Sequence, residues 1–348
     1  MSCANWWTRR CLAKNKGRKA PQPARLRAPL IKPLALQKIK TYPLSTRYSK
    51  VQLPAFAKPW RPGRGLSHFL AGLPDILAVQ TFREVVEEIA KARLNGKAVV
   101  IGMGAHPTKV GLNPVIVDLI ERGVVTALAL NGAVIIHDFE LALTGQTSEE
   151  VDTEIDTGRF GMAEETGRDI NEAILRGVRK GMGIGEAVGT WIEEHKLPNR
   201  KTSLLAAGVR AGIPVTVHVA VGTDIIHMHP AVDGAALGEG SLRDFRTFAA
   251  VVAGLDGGVY LNLGSAVIMP EVFLKALTLA RNLGYTVNRL TTVNMDFLPS
   301  YRPQTNVLRR PTQKGGKGHL LVGHHEIMFP LLAAAVLERL HAANRSSR

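Results

Sequence analysis

Short apolar runs alternate with segments of helical periodicity through most of this chain. Residues 98–103 and 259–263 are apolar runs of strand length, and between such runs apolar side chains recur at i, i+3 and i+4. A strand that is apolar throughout is buried on both faces, as in a parallel sheet covered by helices. The alternation extends over roughly 250 residues without a clear domain boundary. It predicts one Rossmann-like α/β domain at 78–342, with a mostly parallel sheet and helices on both faces.

The spacing of apolar residues and the capping or helix-ending residues beside them also predict the individual helices and strands. We expect strands at 98–103, 124–130, 213–221, 259–263, 286–293 and 319–322. We expect helices at 81–94, 113–122, 163–179, 185–194, 242–253, 270–283 and 327–340, with Thr81 and Asn113 as N-caps.

The positive charge of the chain is concentrated near its N-terminus. Residues 1–64 contain sixteen Lys or Arg and no Asp or Glu, which leaves 28 basic and 29 acidic residues in the rest of the chain. We interpret residues 1–46 as a disordered basic tail: a transit peptide, an arm that contacts RNA or lipid, or the result of a misassigned start. Because the folded part is nearly neutral, we expect nucleic-acid contact only through this tail.

Residues 47–77 are punctuated by Pro and Gly, and we expect an ordered strap anchored by the aromatic side chains of Phe56, Trp60 and Phe69. Both cysteines, Cys3 and Cys11, lie in the tail, which excludes a disulfide or a zinc–cysteine site within the domain. No apolar run reaches the about 18 residues of a membrane span, so we expect a cytoplasmic protein.

In an open parallel sheet, ligands bind beyond the carboxyl ends of the strands. Five loops follow the predicted strands there, at 104–111, 131–138, 222–229, 264–266 and 294–317. The first belongs to the segment Ile101-Gly-Met-Gly-Ala-His-Pro-Thr108, which has two glycines ahead of a helix, as phosphate-binding loops do. Pro107 stands where the third glycine of G-x-G-x-x-G would be, so a structural turn and a ligand loop are equally compatible with it.

The segment from His218 to His229 supports a different hypothesis. His218, Asp224, His227 and His229 supply imidazole and carboxylate ligands of the kind that zinc and iron use. The spacing matches no helical metal motif, so these side chains could equally line a pocket for an organic ligand.

Two further groups of residues have the right chemistry for catalysis. Lys314 and Lys317 lie in a glycine-rich loop, and a partly desolvated lysine beside a cofactor can form an imine. His106, His324 and His325 are candidate proton carriers, because imidazole titrates near neutral pH.

Taken in order, these segments resemble the deoxyhypusine synthase family from about Ala78 to Leu337. The similar segments are Ile101–Gly111, Asn131–Val134, Ile213-Pro214-Val215, Thr223-Asp224, Leu263–Val267 and Phe329-Pro330-Leu331-Leu332. Enzymes of that family remove a hydride from spermidine with NAD and carry the aminobutyl group on a lysine as an imine. They then transfer it to a lysine of a translation factor.

The resemblance implies an NAD-dependent transferase that acts on a small amine or polyamine, with a possible protein acceptor, in a homotetramer. Lys314 lies in an approximate substitute for the family's imine-lysine segment, and His324 or His325 stands where the family has an aspartate. With the imidazole chemistry given above, Lys314, His324 and His325 are the expected catalytic residues. As cofactor-binding residues the resemblance implies Gly104, Ala105, His106, Asn131, Gly132, Ala133, Asp224, Gly264, Ser265 and Asn294. The chain has Ile268-Met269-Pro270 where the family has its catalytic histidine. A metal-dependent enzyme and a non-catalytic NAD-binding module therefore remain alternatives.

Overall fold

Six parallel strands form the sheet of this protein, as seen in a computed structural model. They are β1 (Val99–Met103), β2 (Ala127–Asn131), β3 (Val215–His218), β4 (Val259–Leu263), β5 (Thr291–Asp296) and β6 (Lys317–Val322). Their spatial order is β3-β2-β1-β4-β5-β6, and every neighbouring pair is parallel. This is the strand order of doubly wound dinucleotide-binding folds. The predicted Rossmann-like fold class is therefore confirmed.

Helices connect and cover the strands. They are α1 (Leu66–Gly72), α2 (Ala78–Leu94), α3 (His106–Lys109), α4 (Asn113–Glu121), α5 (Gly132–Thr144), α6 (Val151–Glu154), α7 (Glu164–Arg179), α8 (Ile184–Glu194), α9 (Leu204–Ala211), α10 (Gly234–Ala253), α11 (Ile268–Asn282), α12 (Tyr301–Pro303), α13 (Arg310–Thr312) and α14 (His325–Ser346). A π-helix, Gln304–Arg309, joins α12 to α13.

The core has one hydrophobic layer on each face of the sheet. Alternate residues of a strand point to opposite faces, so Ile101 and Met103 of β1 pack with α2, α4, α5 and α14. Val100 and Tyr260 pack on the other face with α10 and α11. Every residue of β1 is buried between these layers, which explains why that strand is apolar along its whole length.

The structure describes residues 31–346. The chain divides into two units, residues 1–50 and 51–348. In the first unit, the described residues form a single short 3₁₀ turn, Leu44–Thr46. Most of the predicted disordered tail, including Cys3 and Cys11, lies outside the described residues. Within 31–346, no helix is both long and apolar enough to cross a membrane.

Two predicted N-caps are wrong. Helix α2 begins at Ala78, one turn before Thr81, and Leu77 precedes it with a φ of 48°. Asn113 is the first residue of α4 rather than its cap. Its side chain instead donates a hydrogen bond of 2.8 Å to the buried carboxylate of Asp138. Tertiary contacts thus override the local capping signals.

Other boundaries also differ from prediction, and α10 begins at Gly234 rather than at residue 242. Residues 132–138, expected to be a loop, form the start of α5, and the fifth strand is 291–296 instead of 286–293. Polar residues in both segments resemble loop composition but are held in regular structure by the sheet. The proposed anchors of the strap are wrong as well, since Phe56, Trp60 and Phe69 are 53%, 49% and 39% exposed.

Candidate functional site

The carboxyl ends of β1 and β4 meet at the centre of the sheet, where the chain changes its direction of winding. Gly104 follows β1 and Gly264 follows β4 at the same level of the register. The Gly104 amide donates to the Leu263 carbonyl at 3.2 Å. A Cβ atom on Gly104 would lie 2.5 Å from the Gly264 carbonyl oxygen. Gly104 is therefore required because the two backbones approach closely, and Gly264 is favoured because its φ of 61° lies in the left-handed region. Both stand at the position where such folds bind ligands.

The first glycine of the Gly-x-Gly pair has a packing role. Gly102 lies within β1, and a Cβ atom there would be 2.1 Å from the Tyr260 hydroxyl oxygen. It leaves room for an aromatic ring that stacks on Phe273 with centroids 3.8 Å apart. The interpretation of Gly102 as part of a phosphate loop is thus replaced by a packing explanation.

Four aromatic rings gather beside the crevice between β1 and β4. The His106 ring lies 5.3 Å from His325 and 5.9 Å from Phe297, and the Phe297 and His324 rings are parallel at 6.3 Å. His106 and His324 are exposed, whereas His325 is 1% exposed. The three histidines selected from the sequence therefore do come together.

The surroundings of His325 fix its tautomer. Its Nε2 lies 3.1 Å from the Met295 carbonyl oxygen, which can only accept, so Nε2 carries the proton. Nδ1 is then an unprotonated acceptor, and it is buried without a hydrogen-bond partner. Burial lowers the pKa of His325, while the Met295 carbonyl and Asp296 oppose that shift. The ring is a neutral base whose lone pair has no use within the protein.

Two buried asparagines hold the turn that follows β4. The Asn262 amide donates to the Asn294 side-chain oxygen at 2.7 Å and to the Ser265 carbonyl at 2.9 Å. Ser265 Oγ accepts from the Met269 amide, which caps the start of α11. Asn294 was expected in a loop but lies inside β5, fully buried. Asn262, which sequence reasoning missed, links these residues.

Asp224 packs directly on the first turn of α5. A Cβ atom on Gly132 would lie 1.9 Å from Asp224 Oδ2, and that oxygen is buried without a hydrogen-bond partner. Asn131 caps the same helix by accepting from the Val134 amide at 3.3 Å. Burial raises the pKa of Asp224, and His227 partly offsets the shift. At the N-terminus of α5, the site therefore has a carboxylate oxygen, Asp224 Oδ2, that has no hydrogen-bond partner.

The histidines of the metal hypothesis each have another role. His218 Nε2 bonds the Thr216 hydroxyl at 3.0 Å, and burial lowers the His218 pKa to about 3. His227 Nδ1 accepts from the Gly222 amide, and His229 Nε2 lies 3.4 Å from Glu164. Residues 31–346 contain no group of three or more His, Cys, Asp or Glu side chains that could hold a metal ion.

The two candidate imine lysines lie at the opposite edge of the sheet. Lys317 begins β6 and pairs with Glu88 at 2.5 Å, which raises the lysine pKa. Lys314 precedes it in the turn before β6. At about 3.3 Å per residue, the six residues of β6 separate them from His324 and His325 by roughly 16 Å or more. The structure does not bring Lys314 together with the other predicted catalytic residues.

A hydrogen-bonded chain of polar side chains that sequence reasoning missed lies between α3, α5 and α7. We call it the polar relay, and it consists of His137, Thr147, Glu140 and Thr166. Thr147 Oγ1 donates to Glu140 at 2.5 Å and therefore accepts from His137 Nδ1 at 2.6 Å. Thr166 donates to the other Glu140 oxygen at 3.0 Å. Burial, with a smaller contribution from Lys109, lowers the His137 pKa to about 4. Sequence offered no signal for it, because its members are brought together by folding.

A cavity of about 800 Å³ lies elsewhere, between α1, α2 and the C-terminal half of α14. Its walls include Leu70, Phe82, Val86 and Ala335, and they are mainly apolar. Helix α14 rises about 1.5 Å per residue, so this cavity is remote from His325. Because polar groups without partners converge at the strand ends, we place the candidate site there.

The fold and this edge define the class of the protein: an open, doubly wound α/β protein of Rossmann type. Among solved structures, it is similar to a conserved LOR/SDH protein from Methanococcus maripaludis S2, with a TM-score of 0.53 and 17% identity. That match covers 77% of this chain and 70% of the other. At this level of identity the likeness concerns the fold alone.

A second likeness is to AgrE. A cysteine-to-alanine variant of AgrE in complex with L-arginine matches with a TM-score of 0.50 and 16% identity. The match covers 75% of this chain but 32% of AgrE, so the chain spans about a third of that protein. AgrE has also been solved in a ternary complex with ornithine and NAD+.

A protein from Entamoeba histolytica described as a deoxyhypusine synthase is also among the similar structures. Its identity is 12%, the match covers 81% of this chain and 96% of the other, and the TM-score of 0.47 is too low for an argument. No protein-family model matches the chain, and no curated protein matches its sequence.

Proposed function

We propose that this protein is an NAD-dependent enzyme that oxidises a small amine at the carboxyl edge of its sheet. The observation that carries the proposal is the crevice between β1 and β4. Two backbones meet there at Gly104 and Gly264, and three histidines lie beside them. The amine substrate class is suggested by the family resemblance and by ornithine and L-arginine in the AgrE complexes.

The residues at this edge are compatible with NAD. The long helices α5, α11 and α14 all begin here, and their N-termini favour anionic groups such as a pyrophosphate. The unpartnered Oδ2 of Asp224 is an acceptor for a ribose hydroxyl. Ala105, His106, Ala133 and Ser265 complete the proposed binding surface. The Gly104 amide is engaged with Leu263 and is not counted as a phosphate donor.

Bound NAD would supply a hydride acceptor for the carbon next to the amine nitrogen. Before the hydride leaves, the protein must remove a proton from the ammonium group, so that the nitrogen lone pair can form the C=N bond. His106 is exposed and close enough to His325 for this role. Neutral His325, in edge contact with the His106 ring, would support that ring and keep the crevice free of fixed positive charge.

Aminoalkyl transfer through an enzyme lysine is a finer version of this proposal. Lys314 is remote from the histidines, whereas Lys109 of α3 lies at the same edge as His106. We therefore propose Lys109 for the imine role. Borohydride reduction in the presence of NAD and spermidine should trap an adduct that Lys109→Arg abolishes and Lys314→Arg retains. A homotetramer is retained from the family resemblance, and light scattering tests it.

NAD binding can be tested with two alanine-to-aspartate variants. Ala105→Asp places a carboxylate at the start of α3, where it repels the pyrophosphate. Ala105 is half-buried, so thermal melting checks that the variant keeps the fold. NADH titration by fluorescence should show affinity reduced by tenfold or more, about 1.4 kcal/mol. Ala250→Asp, on the exposed face of α10, is the matched control and should bind as wild type. Equal binding by both variants would place the cofactor elsewhere.

Activity is tested separately with a panel of spermidine, putrescine, ornithine and arginine, followed by NADH absorbance. NAD binding without turnover of any member would favour the non-catalytic NAD-binding module.

A further inference from the structure

A long segment between β5 and β6 contains no acidic residue. From Phe297 to Gly316 the chain has four Lys or Arg and neither Asp nor Glu. This segment includes α12, the π-helix and α13, which follow one another without a break from Tyr301 to Thr312. Such an imbalance is concentrated enough to define a local electrostatic surface.

The cations of this segment share its outer side. Pro303, Thr305, Asn306, Val307 and Pro311 are buried and form the inner side. The exposed cations are Arg302, Arg309 and Arg310, at helical spacing, and Lys314 in the turn that follows α13. At about 1.5 Å per residue, they extend over roughly 18 Å. We call these four residues the basic face.

Little negative charge lies next to the basic face. Glu271 of α11 is the acid that contacts it, through Arg302 at 3.6 Å, and Glu271 also pairs with Lys275. The four cations of the basic face, Lys275 and the single carboxylate of Glu271 together carry a net charge of four positive units. Among residues 31–346, neither Arg309 nor Lys314 has an ion pair within 4.0 Å.

An exposed aromatic ring stands at one end of the face. Tyr301 precedes Arg302 and is 72% exposed. An aromatic ring that stays mostly in water contributes little packing energy to the fold of this chain. It offers a surface on which a nucleic-acid base can stack, and such stacking tolerates any base sequence.

We propose that the basic face binds single-stranded RNA, with the cations on successive phosphates and Tyr301 stacked on a base. Single-stranded RNA is favoured over an acidic peptide because an acidic peptide would engage the cations but would leave the ring without a partner. It is favoured over a duplex because paired bases are not available for stacking. The face consists of residues other than those of the basic N-terminal tail, and the proposal does not depend on the proposed NAD site.

The electrostatic part is tested by fluorescence anisotropy, with the full chain and a labelled oligouridylate of about 16 nucleotides. Arg309→Gln combined with Lys314→Gln should weaken binding on the order of tenfold. It should also make the slope of log affinity against log salt shallower by about 1.4, because about 0.7 is lost per phosphate contact on a single strand. All substituted positions are exposed, and thermal melting checks that the fold is kept.

The matched control removes the same charge elsewhere. Lys180→Gln combined with Lys201→Gln changes two exposed lysines near α7 and α9 and should leave both affinity and salt slope as in wild type. If both double variants weaken binding equally, or neither does, binding comes from overall charge or from the tail, and the proposal is overturned.

The stacking part is tested with Tyr301→Ala, which keeps every charge. Binding of oligouridylate should weaken by about fivefold or more, the lower range of one lost stacked base. Poly-glutamate of matched charge should compete poorly. If poly-glutamate competes as well as RNA and Tyr301→Ala has no effect, the face is an acidic-peptide site and the RNA proposal is wrong.

Discussion

Replacing Asp138 with asparagine tests how burial and hydrogen bonding compete inside the helical layer. The Asp138 side chain is 0% exposed and accepts four hydrogen bonds. The donors are Asn113 Nδ2 at 2.8 Å, Ser203 Oγ at 2.5 Å and the amides of Leu204 and Leu205 at 2.8 and 3.2 Å. Because no cation is among them, burial dominates and raises the Asp138 pKa to about 6.

The sign of the pH effect follows from that shift. A carboxyl group whose pKa rises on folding contributes stability that is complete below its unfolded pKa and is lost as the pH rises through its folded pKa. Between the ordinary value of 3.8 and about 6 there are about two pKa units, at most about 3 kcal/mol. The wild-type protein should lose up to that amount between pH 4 and pH 7 at this residue.

Asp138→Asn keeps the shape but replaces one acceptor oxygen with a donor. Four donors point at this side chain, and the asparagine NH2 group cannot accept from them. At least one buried backbone N–H, such as that of Leu205, is then left without an acceptor, at a cost of about 1–3 kcal/mol. At low pH the variant should therefore be less stable than wild type by that amount. Toward pH 7.5 the difference should shrink, because the neutral amide avoids burying a charge.

The measurement is urea unfolding followed by tryptophan fluorescence at pH 4.5, 6 and 7.5, since Trp191 is 9% exposed in the folded state. A stability difference that grows with pH would refute the reasoning. It would mean that the four hydrogen bonds favour the carboxylate more strongly than burial opposes it.

Two further predictions concern the sheet and the relay. Gly102→Ala should destabilise the fold by about 1–3 kcal/mol, because its Cβ would lie 2.1 Å from the Tyr260 hydroxyl. Tyr260→Phe in the same chain should recover part of that loss in a double-mutant cycle of urea unfolding, whereas strict additivity would exclude the contact as the cause. His137 should titrate near pH 4 in ¹⁵N-edited NMR spectra and keep its proton on Nδ1 above that pH. Titration near the ordinary value of 6.5 would show that the ring is not buried against Thr147 in solution.

Much of the candidate site could be predicted from the chain because parallel strands all end at one edge. Gly104 and His106 follow β1, and Gly132, Asp224 and Gly264 follow β2, β3 and β4; the structure places all of them at that edge. The residues were selected from loop composition, and their assembly required only that the sheet be parallel. Their role in cofactor binding stays a prediction.

Selecting residues by loop composition failed for Lys314, because the sequence did not show at which edge of the sheet its loop lies. Lys314 precedes a strand, and a residue before a strand lies at the amino edge of a parallel sheet. The sequence places Lys314 only eleven positions from His325, but those positions include the full length of β6. Proximity in sequence was therefore the wrong guide.

The amino-acid sequence by itself determined the fold class, because uninterrupted apolar runs can be satisfied only by strands covered on both faces. It also determined which loop chemistry reaches the strand ends. Only the tertiary structure decided that Gly102 accommodates Tyr260, that Asn262 bridges Asn294 and Ser265, and that His325 has a free Nδ1. Each of these three contacts depends on residues that different elements of the fold bring together. The local periodicity of the sequence does not show which residues meet in this way.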